Sequence, residues 1–434
     1  MLAVVLAVAL FLVAGIAIVD RGAVDATSPG DSSAAGGAGD APRRQGSTAA
    51  IAALQERLRR LPGDYSAWAD LGGAYLRQAQ ASADPSYYAK AEGAFERSLK
   101  ESPEANSPAV AGQAALAAAR HDFAAALRLA ERALTINAFD SSALGVKVDA
   151  LVELGRYDEA FDSLQRMVDL KPGVPSYTRV SYSYELRGDL AGARAGLDRA
   201  LAAAATPADA AFALRYLGEL AFSQGDLDTA AARFTEGMRR DPSYVPLIAG
   251  RARVAAAQGD LDAALSGFAT VVERLPEPGY VMEYADLLEA ANRPEEAARQ
   301  HAVVAATAAL FRSEGADVDL ELALYDADHG RAPEALAAAQ AAYDKRRSVH
   351  VEDAYAWALH AAGRSAEALP HAEAAARLGT RSALFAYHRG MIEKELGRDD
   401  AARASLQRAL DINPHFSPLQ APRARAALDE LGRS

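Results

Sequence analysis

The sequence predicts an all-α protein, an α-α superhelix of about ten helical hairpins, preceded by a membrane helix and a flexible linker. Three observations lead to this prediction. Alanine, the strongest helix former, is the commonest of the 434 residues. A short phrase, typically glycine, four residues of which the first is Asp or Arg, and then alanine, returns about every 34 residues. The stretch 2–19 is apolar without interruption, unlike the rest of the chain.

Composition excludes several classes of function. The chain has no cysteine, which removes disulfide scaffolds, thiolate metal sites and cysteine nucleophiles. Its 46 Lys and Arg against 58 Asp and Glu give a net charge of −12 and an isoelectric point near 5.3. Because binding to a phosphate backbone needs a surplus of positive charge on one face, we expect no nucleic-acid partner.

The apolar stretch 2–19 is ended by Asp20 and Arg21. At 1.5 Å per residue it covers about 27 Å, close to the thickness of a bilayer core. Since no basic residue precedes it, we interpret residues 1–20 as an uncleaved transmembrane anchor, with a cleaved signal segment as the alternative. The predicted localisation is the cell membrane, single-pass, with the body extracytoplasmic, or secretion if the segment is cleaved. The arginines after the segment favour the opposite orientation.

Three further parts follow the predicted anchor. Residues 21–47 are rich in Gly, Ala, Ser and Pro with almost no large apolar side chain to bury, so we expect a disordered linker. The repeats then occupy 48–416. Residues 417–434 are predicted to form a C-terminal capping helix whose charges suit a solvated end of the array.

The unit at 141–174 shows the physical basis of the repeat. Ser141 or Ser142 can cap a first helix, and Gly155 can end it in a left-handed turn before a second helix begins. Such a hairpin leaves one apolar face uncovered, so each unit needs its neighbour. Further copies of the turn begin at residues 121, 188, 225, 259, 292, 330, 363 and 397.

The repeated unit resembles the tetratricopeptide repeat, whose marks are a Leu-Gly pair and bulky residues on the first helix, a small residue at the helix crossing and a closing proline. These marks stand at Trp68, Leu71, Gly72, Tyr75, Ala91, Phe95 and Pro103, at Leu217, Gly218, Ala230, Phe234 and Pro242, at Ala264, Phe268 and Pro276, and at Gly390, Ala402, Ala409, Leu410 and Pro414. The resemblance covers about 48–434. It implies a solenoid whose first helices line a concave groove that binds proteins or peptides.

Departures from the period indicate local irregularities. Extra residues at 79–85 predict a longer loop inside the first unit. The second helix that begins at Pro294 is unusually long, so we expect an irregularity near 310–318. Leu54 and Leu58 predict a half unit at the N-terminal end of the array.

Catalytic motifs are missing from the sequence. It contains no HExxH, phosphate-binding loop, dinucleotide fingerprint or nucleophile elbow. The nearest approach to a metal site is Asp326, Asp328 and His329, but His329 and Gly330 come too early for a calcium loop. We therefore expect no enzyme activity, no cofactor and no metal.

A common register of the first helices identifies candidate groove residues. Arginine and aromatic side chains anchor many interfaces, and arginines can hold the carboxylates of a peptide. Two alternatives stay open: the aromatics fill the core between hairpins, or the arginines pair with acids of the solenoid such as Glu185 and Glu219. The candidates are Arg179, Tyr182, Arg215, Tyr216, Glu219, Arg253, Tyr325, Trp357, His360, Tyr387, His388 and Met391.

Two functions are consistent with these observations. The favoured one is a membrane-tethered scaffold that binds protein or peptide partners along the groove and catalyses nothing itself. The membrane contact would be made through residues 2–19. The alternative is a sensor of a small ligand or a metal that uses the aromatic- and histidine-rich C-terminal repeats.

Overall fold

A computed structural model describes residues 41–433, with side chains from residue 48 onward. Within that range the chain forms 22 α-helices and no strand. In chain order the helices are α1 (Ala41–Arg60), α2 (Tyr65–Ser82), α3 (Tyr87–Glu101), α4 (Ser107–Ala119), α5 (Phe123–Ile136), α6 (Ser141–Glu153), α7 (Tyr157–Leu170), α8 (Val174–Leu186), α9 (Leu190–Ala202), α10 (Pro207–Ser223), α11 (Leu227–Arg240), α12 (Val245–Ala257), α13 (Leu261–Arg274), α14 (Pro278–Ala290), α15 (Pro294–Ser313), α16 (Asp319–Asp328), α17 (Ala332–Lys345), α18 (Val349–Ala361), α19 (Ser365–Ala375), α20 (Ala383–Glu395), α21 (Asp399–Ile412) and α22 (Gln420–Leu431).

The helices pair as ten hairpins, from α2/α3 to α20/α21, and each hairpin packs against the next. The helix α1 covers the first hairpin and buries Leu58, and α22 covers the last and buries Ala424 and Leu431. The all-α solenoid of hairpins predicted from the sequence is confirmed.

Turn chemistry explains the repeated phrase. Asp189, Asp226 and Asp260 directly precede second helices, and each carboxylate accepts a hydrogen bond from the backbone N–H three residues on, at 2.8 to 3.1 Å. The residue before each aspartate is a glycine in the left-handed region, as at Gly225 with φ of 75°. The phrase therefore combines a turn residue with a helix N-cap. At α6 the cap is Asp140, not the predicted Ser141 or Ser142, because its carboxylate reaches the N–H groups of residues 142 and 143.

Glycines on the first helices make room for the aromatic side chains of the second helices. The ring of Phe234 lies between Gly218 and Gly250, and a Cβ at either glycine would come within 2.5 Å of that ring. The aromatic can therefore fill the space between two consecutive hairpins.

One of the two predicted irregularities differs from the prediction, and the other is present. The residues at 79–85 mostly lengthen α2, which continues to Ser82, instead of forming a longer loop. Alanine and glutamine at these positions favour helix, and the turn is made by Ala83 at φ of 51°. The long second helix is present as α15, whose 20 residues are followed by a first helix, α16, of only 10.

The superhelix closes on itself after about 190 residues, so that later hairpins pack against earlier ones. Within the described residues, six hydrogen bonds join residues 191 to 197 positions apart. Four of them are Asp317 N–H to Arg120 O (3.0 Å), Val349 N–H to the Tyr157 hydroxyl (2.8 Å), Thr380 Oγ1 to Leu186 O (2.6 Å) and Asn413 Nδ2 to Phe222 O (2.8 Å). The other two join Arg120 Nε to Glu314 O and Arg346 to Glu153. At Gly155 the fit is so close that a Cβ would lie 2.5 Å from the carbonyl oxygen of Arg347. We call these the inter-turn contacts.

The predicted localisation needs correction. None of the helices within 41–433 has the length and apolar character that crossing a bilayer requires, so a single-pass membrane protein is not supported. The predicted anchor at 1–20 lies outside the described residues, as does most of the predicted linker. The remainder of that linker is helical, because α1 begins at Ala41.

Candidate functional site

The three arginines of the predicted groove are buried and paired with acids of the solenoid. Arg179 donates from Nε and a terminal nitrogen to Asp149, at 2.8 and 2.6 Å. Arg253 makes the same two-pronged contact with Glu283. Two-pronged pairs of this kind hold a guanidinium in one orientation.

Arg215 is the most deeply buried of the three, with 1% of its side chain exposed. It donates from Nε to Glu219 at 2.9 Å and from a terminal nitrogen to the Tyr244 hydroxyl at 3.2 Å. Its guanidinium also lies over the Tyr216 ring. Arg215, Tyr216 and Glu219 are therefore brought together as predicted, but they contact each other inside the protein.

Tyr182 faces the next superhelical turn. Its hydroxyl lies 3.1 Å from Nε2 of His350, 168 residues further along the chain. Burial, with the positive charge of Arg346 nearby, lowers the pKa of His350 to about 3, so that ring stays neutral near neutral pH. This contact belongs to the closure of the superhelix.

The C-terminal candidates form a stacked aromatic group. The rings of Trp357 and His388 are parallel with centroids 4.2 Å apart, and Tyr387 packs beside both. Trp357 donates from Nε1 to Asp328 at 2.9 Å, and His388 Nδ1 lies 2.9 Å from Asp353. His360, Tyr325 and Met391 complete the predicted set. His360 bonds Ser365, Tyr325 lies beside His301 and His329, and Met391 packs against the same core.

Most of the predicted groove residues are thus buried inside the closed superhelix. The sequence predicted that they would line an open groove. Two small cavities remain there, of about 180 and 100 Å³, with Arg253 in the wall of both. The two alternatives that the sequence left open, core aromatics and internal arginine pairs, describe the environment of these side chains in this structure. Partner binding by them stays a prediction.

The segment Asp326-Ala-Asp-His329 does not gather into one site. Asp326 pairs with Arg331, whereas Asp328 accepts from Trp357 and Gln420. Burial raises the pKa of Asp328 to about 6, although His388 nearby counteracts it. These carboxylates therefore have separate partners.

The larger opening lies outside the interior, between α15 and the α16/α17 hairpin. It is a cleft of about 650 Å³, which we call the α15 cleft. Its floor and walls are mostly small apolar side chains, and its rim is charged. The lining residues are His301, Val304, Ala305, Ala308, Arg312, Asp319, Leu322, Tyr325, Asp326, Arg331, Glu334, Ala337, Ala338 and Ala341.

Helix lengths explain the α15 cleft. The helix α15 runs beyond the short α16 that follows it, so their packing faces cannot match along the full length. The loop between them is held on the other superhelical turn, where Arg120 Nε donates to Glu314 O at 3.1 Å. Sequence reasoning missed the cleft, and its signals were the length of the helix from Pro294 and the 38-residue step in the repeat.

Comparison with known proteins identifies the class. One family model described as tetratricopeptide repeat matches residues 111–175, 183–245 and 354–415, and a second of the same description matches 221–282. Together the matches cover just over half of the chain, which therefore belongs to the tetratricopeptide repeat family. Proteins of this family generally mediate protein–protein interactions as scaffolds and are typically non-catalytic.

The chain is also similar to several solved structures. A thermophilic tetratricopeptide repeat protein of Thermus thermophilus is 25% identical over 40% of this chain and 91% of its own, with a TM-score of 0.35. A repeat protein from Parabacteroides merdae is 17% identical over 60% and 99%, with a TM-score of 0.35. Yeast Tom70 is 14% identical over 90% and 97%, with a TM-score of 0.39. No curated protein sequence matches significantly.

Proposed function

We propose that this chain is a non-catalytic scaffold that binds a helical segment of another protein in the α15 cleft. The observation that carries the proposal is the cleft itself, an opening of about 650 Å³ with small apolar side chains on both sides, which is larger than either interior cavity. Binding sites for amphipathic helices are grooves of this kind, in which apolar anchors at helical spacing enter between two helices.

The walls of the cleft suit a helix with small or medium apolar anchors. Ala305 and Ala308 on α15 face Ala338 and Ala341 on α17, and small side chains on both walls allow the backbone of an incoming helix to approach closely.

Most of the charged side chains that line the cleft are already paired. Arg312 pairs with Asp319 at 3.0 Å, and Arg331 pairs with Asp326 at 2.7 Å. Glu334 is a third acid in the lining, so the excess of negative charge is small. These side chains would contact the polar side of an amphipathic helix without favouring a strongly charged one.

The test uses the full chain with a photo-crosslinking amino acid at exposed position 305. Filling the opposite wall with Ala338→Trp should abolish crosslinking to the partner, because the tryptophan would occupy the space for its anchors. The matched control is Ala232→Trp, at an exposed alanine on the outer face of α11. It should leave crosslinking unchanged.

Three outcomes would count against the proposal. One is that nothing is crosslinked from position 305, and another is that the chain is crosslinked only to itself. The third is that the same partner is retained by Ala338→Trp. In each case the cleft does not bind a partner helix.

The concave residues predicted from the sequence remain a second route for partner binding, but one that requires the turns to separate. The double variant Thr380→Val, Asn413→Ala removes two inter-turn hydrogen bonds. If Arg179, Arg215 or Arg253 bind a partner, this variant should bind it more tightly, since less free energy opposes opening. If the α15 cleft is the site, affinity should be unchanged within about twofold.

A further inference from the structure

Four ionisable side chains converge where α14, α15 and α16 meet. Asp286 and Glu289 lie one turn apart on α14, His301 projects from α15, and His329 follows the last residue of α16. Asp286 and His329 are almost fully buried, with 5% and 7% of their side chains exposed, whereas Glu289 and His301 reach the surface.

The ligand atoms of these side chains are close together. Oε1 of Glu289 lies 2.9 Å from Nε2 of His301 and 3.6 Å from Nε2 of His329. Nε2 of His329 lies 3.3 Å from Oδ1 of Asp286. The ligand atoms of Glu289, His301 and His329 all lie within 4.8 Å of one another.

The hydrogen bond that His329 makes through Nδ1 determines which group its Nε2 presents to the nearby carboxylates. Its Nδ1 lies 2.7 Å from the carbonyl oxygen of Tyr325, which only accepts, so Nδ1 carries a proton and donates it. In the neutral ring Nε2 then presents a lone pair to the carboxylates of Asp286 and Glu289. Within the described residues, neither this Nε2 nor Oδ1 of Asp286 has a hydrogen-bond partner. Buried acceptors that converge in this way need either a proton or a metal cation between them.

We propose that Glu289, His301 and His329, with Asp286 as a fourth ligand, form a binding site for a divalent transition-metal ion such as Zn²⁺. Bonds of 2.0 to 2.1 Å in a tetrahedral site place neighbouring ligand atoms about 3.3 Å apart, close to the separations of 2.9, 3.3 and 3.6 Å given above. Two imidazoles and two carboxylates suit zinc or cobalt, whereas calcium and magnesium prefer sites made of oxygen atoms alone.

The outer contacts of the cluster support this assignment. Metal-binding histidines almost always donate the other ring N–H to a carbonyl or another polar group, and His329 does so to Tyr325. His301 Nδ1 makes a short contact with the Tyr325 hydroxyl, which orients that ring toward Glu289. Tyr325 is therefore a positioning residue for both histidines.

The metal site is independent of the proposed partner. It joins three helices at the junction where α15 extends past α16, and His301 and Tyr325 also line the α15 cleft. A bound ion would cross-link this junction and stabilise one wall of the cleft. Binding of the ion can be measured without any protein partner.

The experiment titrates the full chain with Zn²⁺ and, separately, with Co²⁺. We expect one ion per chain by calorimetry, and a visible d–d spectrum of tetrahedral cobalt. His301→Gln or Glu289→Gln should weaken binding at least about 10-fold, and Tyr325→Phe should weaken it about 10- to 100-fold through the orientation of His301. Far-UV circular dichroism checks that each variant is folded.

The matched control is His371→Gln. His371 is 24% exposed, like His301 at 26%, and it also contacts a glutamate, Glu352 at 2.7 Å, but no second histidine joins that pair in the described structure. It should leave affinity unchanged. The proposal is overturned if no ion binds stoichiometrically, if His301→Gln binds as tightly as the parent, or if His371→Gln weakens binding equally. Failure to bind would mean that a proton on His329 separates these acceptors instead.

Discussion

The interior of the superhelix and the junction of α14 to α16 are both rich in charged and aromatic residues, but they differ in how those groups are satisfied. In the interior, Arg179, Arg253 and Arg346 each contact an acid at 2.8 Å or less, and inter-turn contacts close the space around them. At the junction, Nε2 of His329 and Oδ1 of Asp286 lie 3.3 Å apart, and the neighbouring His301 lines the open α15 cleft. The comparison teaches that an arginine held by an acid in a closed interior contributes to structure, whereas imidazoles and carboxylates that converge beside an opening indicate binding.

The largest expected effect concerns a buried ion pair of the interior. Arg346 and Glu153 form an ion pair at 2.8 Å between the two superhelical turns, with 4% and 2% of their side chains exposed. Arg346→Met removes the partner of a buried carboxylate and should lower the free energy of unfolding by about 3–5 kcal/mol at pH 8. Urea unfolding followed by circular dichroism measures the change.

Two variants make that measurement specific. The double variant Arg346→Met, Glu153→Met should recover most of the loss, because it leaves no unpaired charge in the interior. Arg364→Ala breaks an exposed pair with Glu367 and should cost far less, because both side chains are solvated. If Arg346→Met costs no more than Arg364→Ala, the inter-turn pair does not hold the superhelix closed.

The hairpins were predictable from the sequence because each depends on local chemistry. The recurring Gly-Asp phrase specifies a left-handed turn and an N-cap within two residues, as at Gly225 and Asp226, and the period follows from helix lengths. The half unit at α1 and the long helix at α15 were predictable for the same reason. The extension of α2 to Ser82 was missed because loop and helix compete closely in an alanine-rich segment.

The closure of the superhelix was not predictable in this way. It depends on contacts between residues about 190 positions apart, such as Thr380 with Leu186, and on small rotations that accumulate over several hairpins. Without that closure, Arg215 and Trp357 belong to an exposed concave face, which is where the repeat register placed them. The cluster of Glu289, His301 and His329 escaped detection for a related reason, since its members come from three helices and share no motif.

The smallest expected effect concerns Glu185, an interior carboxyl group. Unlike Glu153, it has no arginine partner in the described structure. Glu185 accepts a hydrogen bond from Ser181 at 3.1 Å and lines the cavity of about 100 Å³. Burial raises the pKa of its carboxyl to about 7, against the weaker opposing effect of Ser181. An ordinary glutamate titrates near 4.5, so the folded protein holds this proton at pH values where the unfolded chain has lost it.

The sign of the effect follows from this difference. The contribution of Glu185 to stability is complete below pH 4.5 and is lost as the pH rises through 7, so Tm should fall between pH 5 and pH 8. Glu185→Gln keeps an acceptor for Ser181 but cannot ionise, and its Tm should fall by about 2 °C less over that range. Glu159→Gln is the control, because Arg156 lowers the pKa of exposed Glu159, which stays ionised throughout. Parallel curves for the parent and Glu185→Gln would show that this carboxyl reaches water through the cavity.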